Sequence, residues 1–129
     1  MPTTDRPPTC FITTAIPYVN ARPHVGFAME LILADALARF ERLRGRDVHL
    51  LTGTDENSLK NVRAAEAEGV ATAALVDRNA AAFRGLQETL GLSFDDFLRT
   101  SADRRHREGV AALWRACAAR GDLFRRTYR

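Results

Sequence analysis

The stretch FITTAIPYVNARPHVGF, Phe11 to Phe27, decides how this chain of 129 residues is read. An apolar, β-branched run (Phe11, Ile12, Thr13, Thr14) is broken at Pro17 and turns through Asn20 and Pro23. A long amphipathic segment then opens at His24-Val25-Gly26. Strand, bend and helix start follow one another, with a histidine and a glycine at the helix N-terminus. Such a junction offers unpaired backbone N–H groups and the positive end of a helix dipole to an anion. A nucleotide phosphate suits it.

Working outward, a helix is expected from Val25 to Leu43. Met29, Ile32, Leu33, Ala36, Leu37, Phe40 and Leu43 form its apolar stripe, and Glu30, Asp35, Arg39 and Arg42 take the other side. Gly45 is placed to stop it. The run Asp47 to Thr54 (DVHLLTGT) has strand length, so strand, helix and strand make a βαβ unit with parallel neighbours. Helices are then expected over Ser58–Glu68, ended by Gly69, and from a Thr72 cap to Leu90, ended by Gly91. The second buries Val76, Ala80, Phe83, Leu86 and Leu90. Phe94 to Thr100 reads as a third strand. Thr100 and Asp103 are spaced as a capping box for a helix that turns Val110, Leu113, Trp114 and Cys117 inward as far as Gly121. From Asp122 the chain reads as extended, with Leu123, Phe124 and Tyr128 as strand residues. Residues 1–9 read as a disordered leader and residues 10–129 as one incomplete α/β domain.

Hydrophobic content of 46% and charged content of 27% are those of a globular protein, and no apolar run approaches the roughly 20 residues that span a bilayer. No membrane partner and a cytoplasmic location are expected. The net charge is +3, Lys60 is the only lysine, and arginines from Arg99 to Arg129 hold the excess. They form either a nucleic-acid-facing surface or ordinary solvated helix faces. Cys10 and Cys117 make no CxxC pair, so this chain alone builds no zinc site, and both are expected to pack as small hydrophobes. Neither a P-loop nor a GxGxxG fingerprint occurs.

Ligands of parallel α/β sheets bind beyond the carboxyl ends of the strands. Two such ends are visible, Ala15–Gly26 and Gly53–Ser58 (GTDENS), and they converge on one crevice. His24 is placed to donate to a phosphoryl oxygen, or it only opens a helix at the surface. Gly26 either lets a nucleotide lie on the backbone or allows helix–strand packing. Asp55 and Glu56 either hold an ammonium group or ribose hydroxyl, or serve as helix N-terminal charges. Tyr18 walls a pocket or covers the core.

At these residues the chain resembles methionyl-tRNA synthetase, a class I aminoacyl-tRNA synthetase. AIPYVNARPHVGF is similar to the family's opening segment with its HIGH motif, LTGTDENSLK to its TGTDEHG-like second segment, and DDFLRTSADRRH to the element after it. The likeness is collinear from Cys10 to the C-terminus. It implies a Rossmann-like, HUP-type parallel sheet with flanking helices, here the first half of a catalytic domain. It also implies ATP, with magnesium, and methionine as substrates, and tRNA as partner of a full-length form. By this resemblance Ile16 and Tyr18 contact methionine and Asp55 holds its α-ammonium group. His24 is the catalytic residue and binds ATP together with Gly26 and with Phe27 at the last position of HIGH, and Glu56 and Asn57 belong to the second-signature loop.

Two departures stand out. Phe27 replaces a histidine and cannot donate to a phosphorane, and Asn57-Ser58 replaces His-Gly. The family's zinc knuckle, KMSKS loop and anticodon-binding domain have no counterpart in this sequence, so the isolated chain is not expected to aminoacylate tRNA. Its expected partners therefore include the missing C-terminal half or a second copy. The alternatives are a diverged paralogue that activates another amino acid, and an inactive remnant or interaction fragment.

Overall fold

Parallel pairing is the organising fact of the computed structural model, which describes residues 7–127. Strand β1 (Thr9–Thr13) lies beside β2 (Asp47–Thr54) with Thr9 opposite Asp47 and Thr13 opposite Leu51. Strand β3 (Asp96–Arg99) lies on the other side of β2, giving the order β1-β2-β3. Helix α1 (Val25–Leu43) connects the first pair, and α2 (Leu59–Glu68) with α3 (Thr72–Leu90) connects the second. This is the expected α/β architecture, a Rossmann-like parallel sheet with flanking helices. β1 begins at Thr9, the last residue of the expected leader. Residues 1–6 of that leader, and Tyr128, lie outside the described residues.

The core fills one face of the sheet. Val48 and Leu50 of β2 meet Phe27, Leu31 and Ala38 of α1 and Leu75, Val76, Ala80 and Phe83 of α3. The rings of Phe27 and Phe83 cross edge to face at 5.0 Å. Gly53 has a steric duty, because a Cβ there would sit 2.1 Å from the Leu98 carbonyl oxygen, so β2 and β3 approach only if it is bare.

Helix α1 turns opposite to the expected stripe. Met29, Leu33, Phe40 and Leu43 are more than half exposed, while Phe27, Leu31, Asp35, Ala38 and Glu41 are buried. Two carboxylates can sit on the buried face because each is partnered. Asp35 Oδ1 accepts from Ser93 N and Oγ at 2.6 Å and its Oδ2 from Arg39 Nε, while Glu41 pairs with Arg44 and Arg46. Apart from Arg39, one turn along α1, these partners lie beyond the helix and leave no mark in its period.

The fourth helix, α4 (Arg104–Ala119), buries none of its residues, contrary to the inward face expected of Val110, Leu113, Trp114 and Cys117. It stands off the opposite face of the sheet across a gap of about 430 Å³ between Leu51 and Leu98 below and Val110 and Leu113 above. Its cap is Asp103, whose Oδ1 accepts from Arg105 N at 2.8 Å, and the expected Thr100–Asp103 box does not form. Thr72 is likewise the first residue of α3 rather than its cap, which is Ala71. Residues 122–127 form no strand. Cys10 and Cys117 are free and half-buried, Cys10 against the core.

Candidate functional site

The two strand-end loops do meet. Asp55 N donates to the Pro17 carbonyl at 2.8 Å, and Tyr18 and Asp55 pair as an isolated parallel bridge that prolongs the β1–β2 ladder past its last regular residues. The hydroxyls of Thr14 and Thr52 join the strand ends at 2.7 Å. Convergence of the loops follows from the strand order, since adjacent parallel strands end on the same side.

Each loop is fastened by buried or half-buried groups. In the first, Ala15 N donates to Glu30 Oε1 at 2.7 Å and the Val19 carbonyl accepts from Asn79 Nδ2 at 2.7 Å. Ile16 and Tyr18, between those anchors, are each 41% exposed, so Tyr18 stands beside the loop rather than covering the core. The Lys60 ammonium lies 5.0 Å from its ring centroid.

In the second loop the neighbours Asp55 and Glu56 part ways. Asp55 is half-buried, and its Oδ1 accepts from Asn57 N at 3.2 Å, which closes a tight turn. The Glu56 side chain is fully buried. It accepts from Arg99 Nε at 2.6 Å and Nη2 at 3.2 Å, from Thr54 Oγ1 at 2.9 Å and from the Ser101 hydroxyl. Burial pushes its carboxyl up, but those hydrogen bonds and the Arg99 charge outweigh it and hold the group below its ordinary 4.5. Glu56 is therefore a strut inside the loop. Its backbone is held as well, with N–H donating to Thr100 Oγ1 at 2.8 Å and C=O accepting from Asn61 Nδ2 at 2.9 Å. Asn57 is exposed, and Ser58 caps α2 by accepting from Lys60 N at 3.1 Å. The serine in place of glycine thus has a local structural use.

His24 is the N-cap of α1. Its Nδ1 accepts from Gly26 N at 3.1 Å and Phe27 N at 3.4 Å. The amides expected to await an anion are thus taken by the histidine itself. An accepting Nδ1 places the proton of the neutral ring on Nε2, so the junction presents one N–H donor beside the dipole. A Cβ on Gly26 would stand 3.1 Å from Nδ1 and Cε1 of that ring, so the glycine makes room for the imidazole. Phe27, expected among the ATP contacts from its place in the motif, turns its ring into the core and is 6% exposed.

The site also depends on Asn79, Asn61, Thr100 and Arg99, which no site motif in the sequence marks. Asn79 carried a signal, a polar residue on the apolar face of α3 between Val76 and Phe83. A cavity of about 570 Å³, lined by Asn57, Thr100, His106, Val110 and Trp114, shares only Asn57 with the site residues expected from the sequence.

Two loops joined at the ends of adjacent parallel strands, beside a histidine-capped helix, define a Rossmann-like domain, a fold whose ligands bind beyond the carboxyl ends of its strands. A family model described as tRNA synthetases class I (M) matches residues 10–129, and the chain belongs to that family. It is 49% identical over 118 residues to a methionine–tRNA ligase of Brucella suis, and 53% identical over the same length to one of Mycobacterium bovis. Each alignment covers 92% of this chain and 23% or 22% of the relative. The solved structure of Mycobacterium tuberculosis methionyl-tRNA synthetase in complex with methionyl-adenylate superposes with a TM-score of 0.85 at 53% identity. That match covers 88% of this chain and 22% of the other. The chain therefore spans less than a quarter of the length of the relatives it matches.

Proposed function

We propose that this chain supplies the first two substrate loops of a methionine–tRNA ligase catalytic domain. A methionine carboxylate oxygen attacks the α-phosphorus of ATP, the bond to the bridging oxygen breaks, and pyrophosphate leaves as methionyl-adenylate forms. The aminoacyl group then passes to the 3′-terminal adenosine of tRNA in the longer polypeptide. The single observation that carries this reading is the Asp55–Pro17 backbone hydrogen bond, which sets the Ile16–Tyr18 segment beside Asp55. An apolar wall next to one anionic group suits an apolar amino acid held by its ammonium. His24 Nε2–H donates to a phosphoryl oxygen, positioned by its own cap, and Gly26 gives the ring its place. Phe27 serves only as core support beneath that turn, and Glu56 as the strut that holds Asp55 and Asn57. Catalysis of this kind rests on positioning and charge stabilisation.

ATP enters with magnesium. Among the described residues no three His, Cys, Asp or Glu side chains converge. No helix among them is long and apolar enough to cross a membrane, and a cytoplasmic location accords with protein synthesis. The exposed apolar face of α1 supports cover by further sequence or by a second copy.

Exposed Asn57, where the family has histidine, favours a second reading in which another amino acid is activated. Pyrophosphate exchange into ATP by the complete polypeptide, with each amino acid in turn, separates the two. Exchange with methionine alone is expected. Exchange with a different amino acid would establish the paralogue, and exchange with none would contradict both.

A further inference from the structure

We propose that Asn79 and Arg99 are positioning residues that set the spacing between the two loops and so govern the fit of the amino acid. The inference rests on the amino-acid-activating reading of the crevice. Asn79 lies on the buried face of α3, 3% exposed, and its Nδ2 donates to the Val19 carbonyl 60 residues away at 2.7 Å. A helix packing an apolar face would ordinarily carry an apolar residue there, since a buried amide is tolerated only when it is paired. Two residues earlier on the same helix, Asp77 Oδ1 accepts from Arg99 Nη2 at 2.6 Å, and Arg99 grips Glu56 through Nε and Nη2. Helix α3 thus holds the first loop directly and the second through a guanidinium.

The loops are themselves joined by the Asp55–Pro17 bond, so the connections close into a ring. It runs from Asn79 to Val19, through Pro17 to Asp55 and Glu56, and back by Arg99 and Asp77 to α3. Loosening any link changes the separation of Ile16 and Tyr18 from Asp55. The His24 cap lies outside this ring, because its side-chain bonds go only to Gly26 and Phe27. The consequence is selective: amino-acid binding weakens and ATP binding does not.

The test compares Asn79→Ala and Arg99→Lys with the parent in the complete polypeptide, by pyrophosphate exchange and by amide hydrogen exchange. Arg99→Lys keeps the charge and loses the two-pronged grip, and it carries the test alone if Asn79→Ala does not fold. The KM for methionine is expected to rise about tenfold or more, with the KM for ATP and saturated kcat changed less than about twofold. The Asp55 amide is expected to exchange about tenfold faster, while the Leu50 amide, held by Asp95 at 2.7 Å, keeps its rate. An unchanged Asp55 amide, or equal rises in both KM values, would overturn the proposal. If the parent activates no amino acid, the activation reading fails, and a faster Asp55 amide would still support the spacing role.

Discussion

At the scale of single residues, stability and chemistry meet in His24 and can be separated by substitution. His24→Ala removes the acceptor for two amides and is expected to cost about 0.5–2 kcal/mol in urea unfolding, the usual range for a lost N-cap. His24→Asn, which can still cap, is expected to stay within about 0.5 kcal/mol of the parent. Equal losses in both would show that the stability His24 adds does not come from capping α1. Phe27 argues the other way. Phe27→His would restore the last residue of the family motif, yet it sets a polar ring against Phe83 in the core. We expect it to lose on the order of 2 kcal/mol or more of stability without a gain in adenylation. Glu56 gives a pH signature. Its carboxyl titrates lower in the folded chain than when unfolded, so the stability it adds is complete above about pH 4.5 and is lost as the pH falls below. Unfolding midpoints measured between about pH 3 and pH 7 should fall more steeply in the parent than in Glu56→Gln. Parallel curves would show that the network contributes nothing ionic.

At the scale of elements, the sequence was most legible where local signals suffice. Helix α1 has the expected bounds of Val25 and Leu43, and Gly69 and Gly91 end their helices in the left-handed region as the turn chemistry requires. Faces were less legible. The apolar period of α1 favoured the side that the structure leaves exposed, because Asp35 and Glu41 are satisfied inside by Ser93, Arg39, Arg44 and Arg46. The same applies to the site. The loops and their residues could be read from AIPYVNARPHVG and GTDENS, but their fastenings come from Asn79, Asn61 and Arg99, whose pairings only the fold creates. Gly53 is the element-scale test. Gly53→Ala pushes a methyl against the Leu98 carbonyl and should part β2 from β3, at a cost of about 1–3 kcal/mol or more. A variant with parental stability would show that the strands adjust freely.

At the scale of the whole molecule, the chain shows apolar surface on two sides. Val25, Met29, Leu33, Phe40 and Leu43 line one face of α1, and Leu113 and Trp114 stand out from α4. Patches of this kind mark surfaces that are covered in use. The chain on its own is therefore expected to self-associate with rising concentration and to bind an apolar dye, as sedimentation velocity and fluorescence would show. A dye-silent monomer at every concentration would contradict that. The proposed function requires that two loops, fixed to each other at Asp55 and Pro17, act together on an amino acid and ATP. Its most direct measurement is pyrophosphate exchange by the complete polypeptide carrying Asp55→Asn or His24→Asn, with methionine and ATP varied separately. Asp55→Asn is expected to raise the KM for methionine, and His24→Asn to lower kcat by about 10²–10³ while leaving that KM near the parent's. Identical effects of the two substitutions, or none from Asp55→Asn, would contradict it.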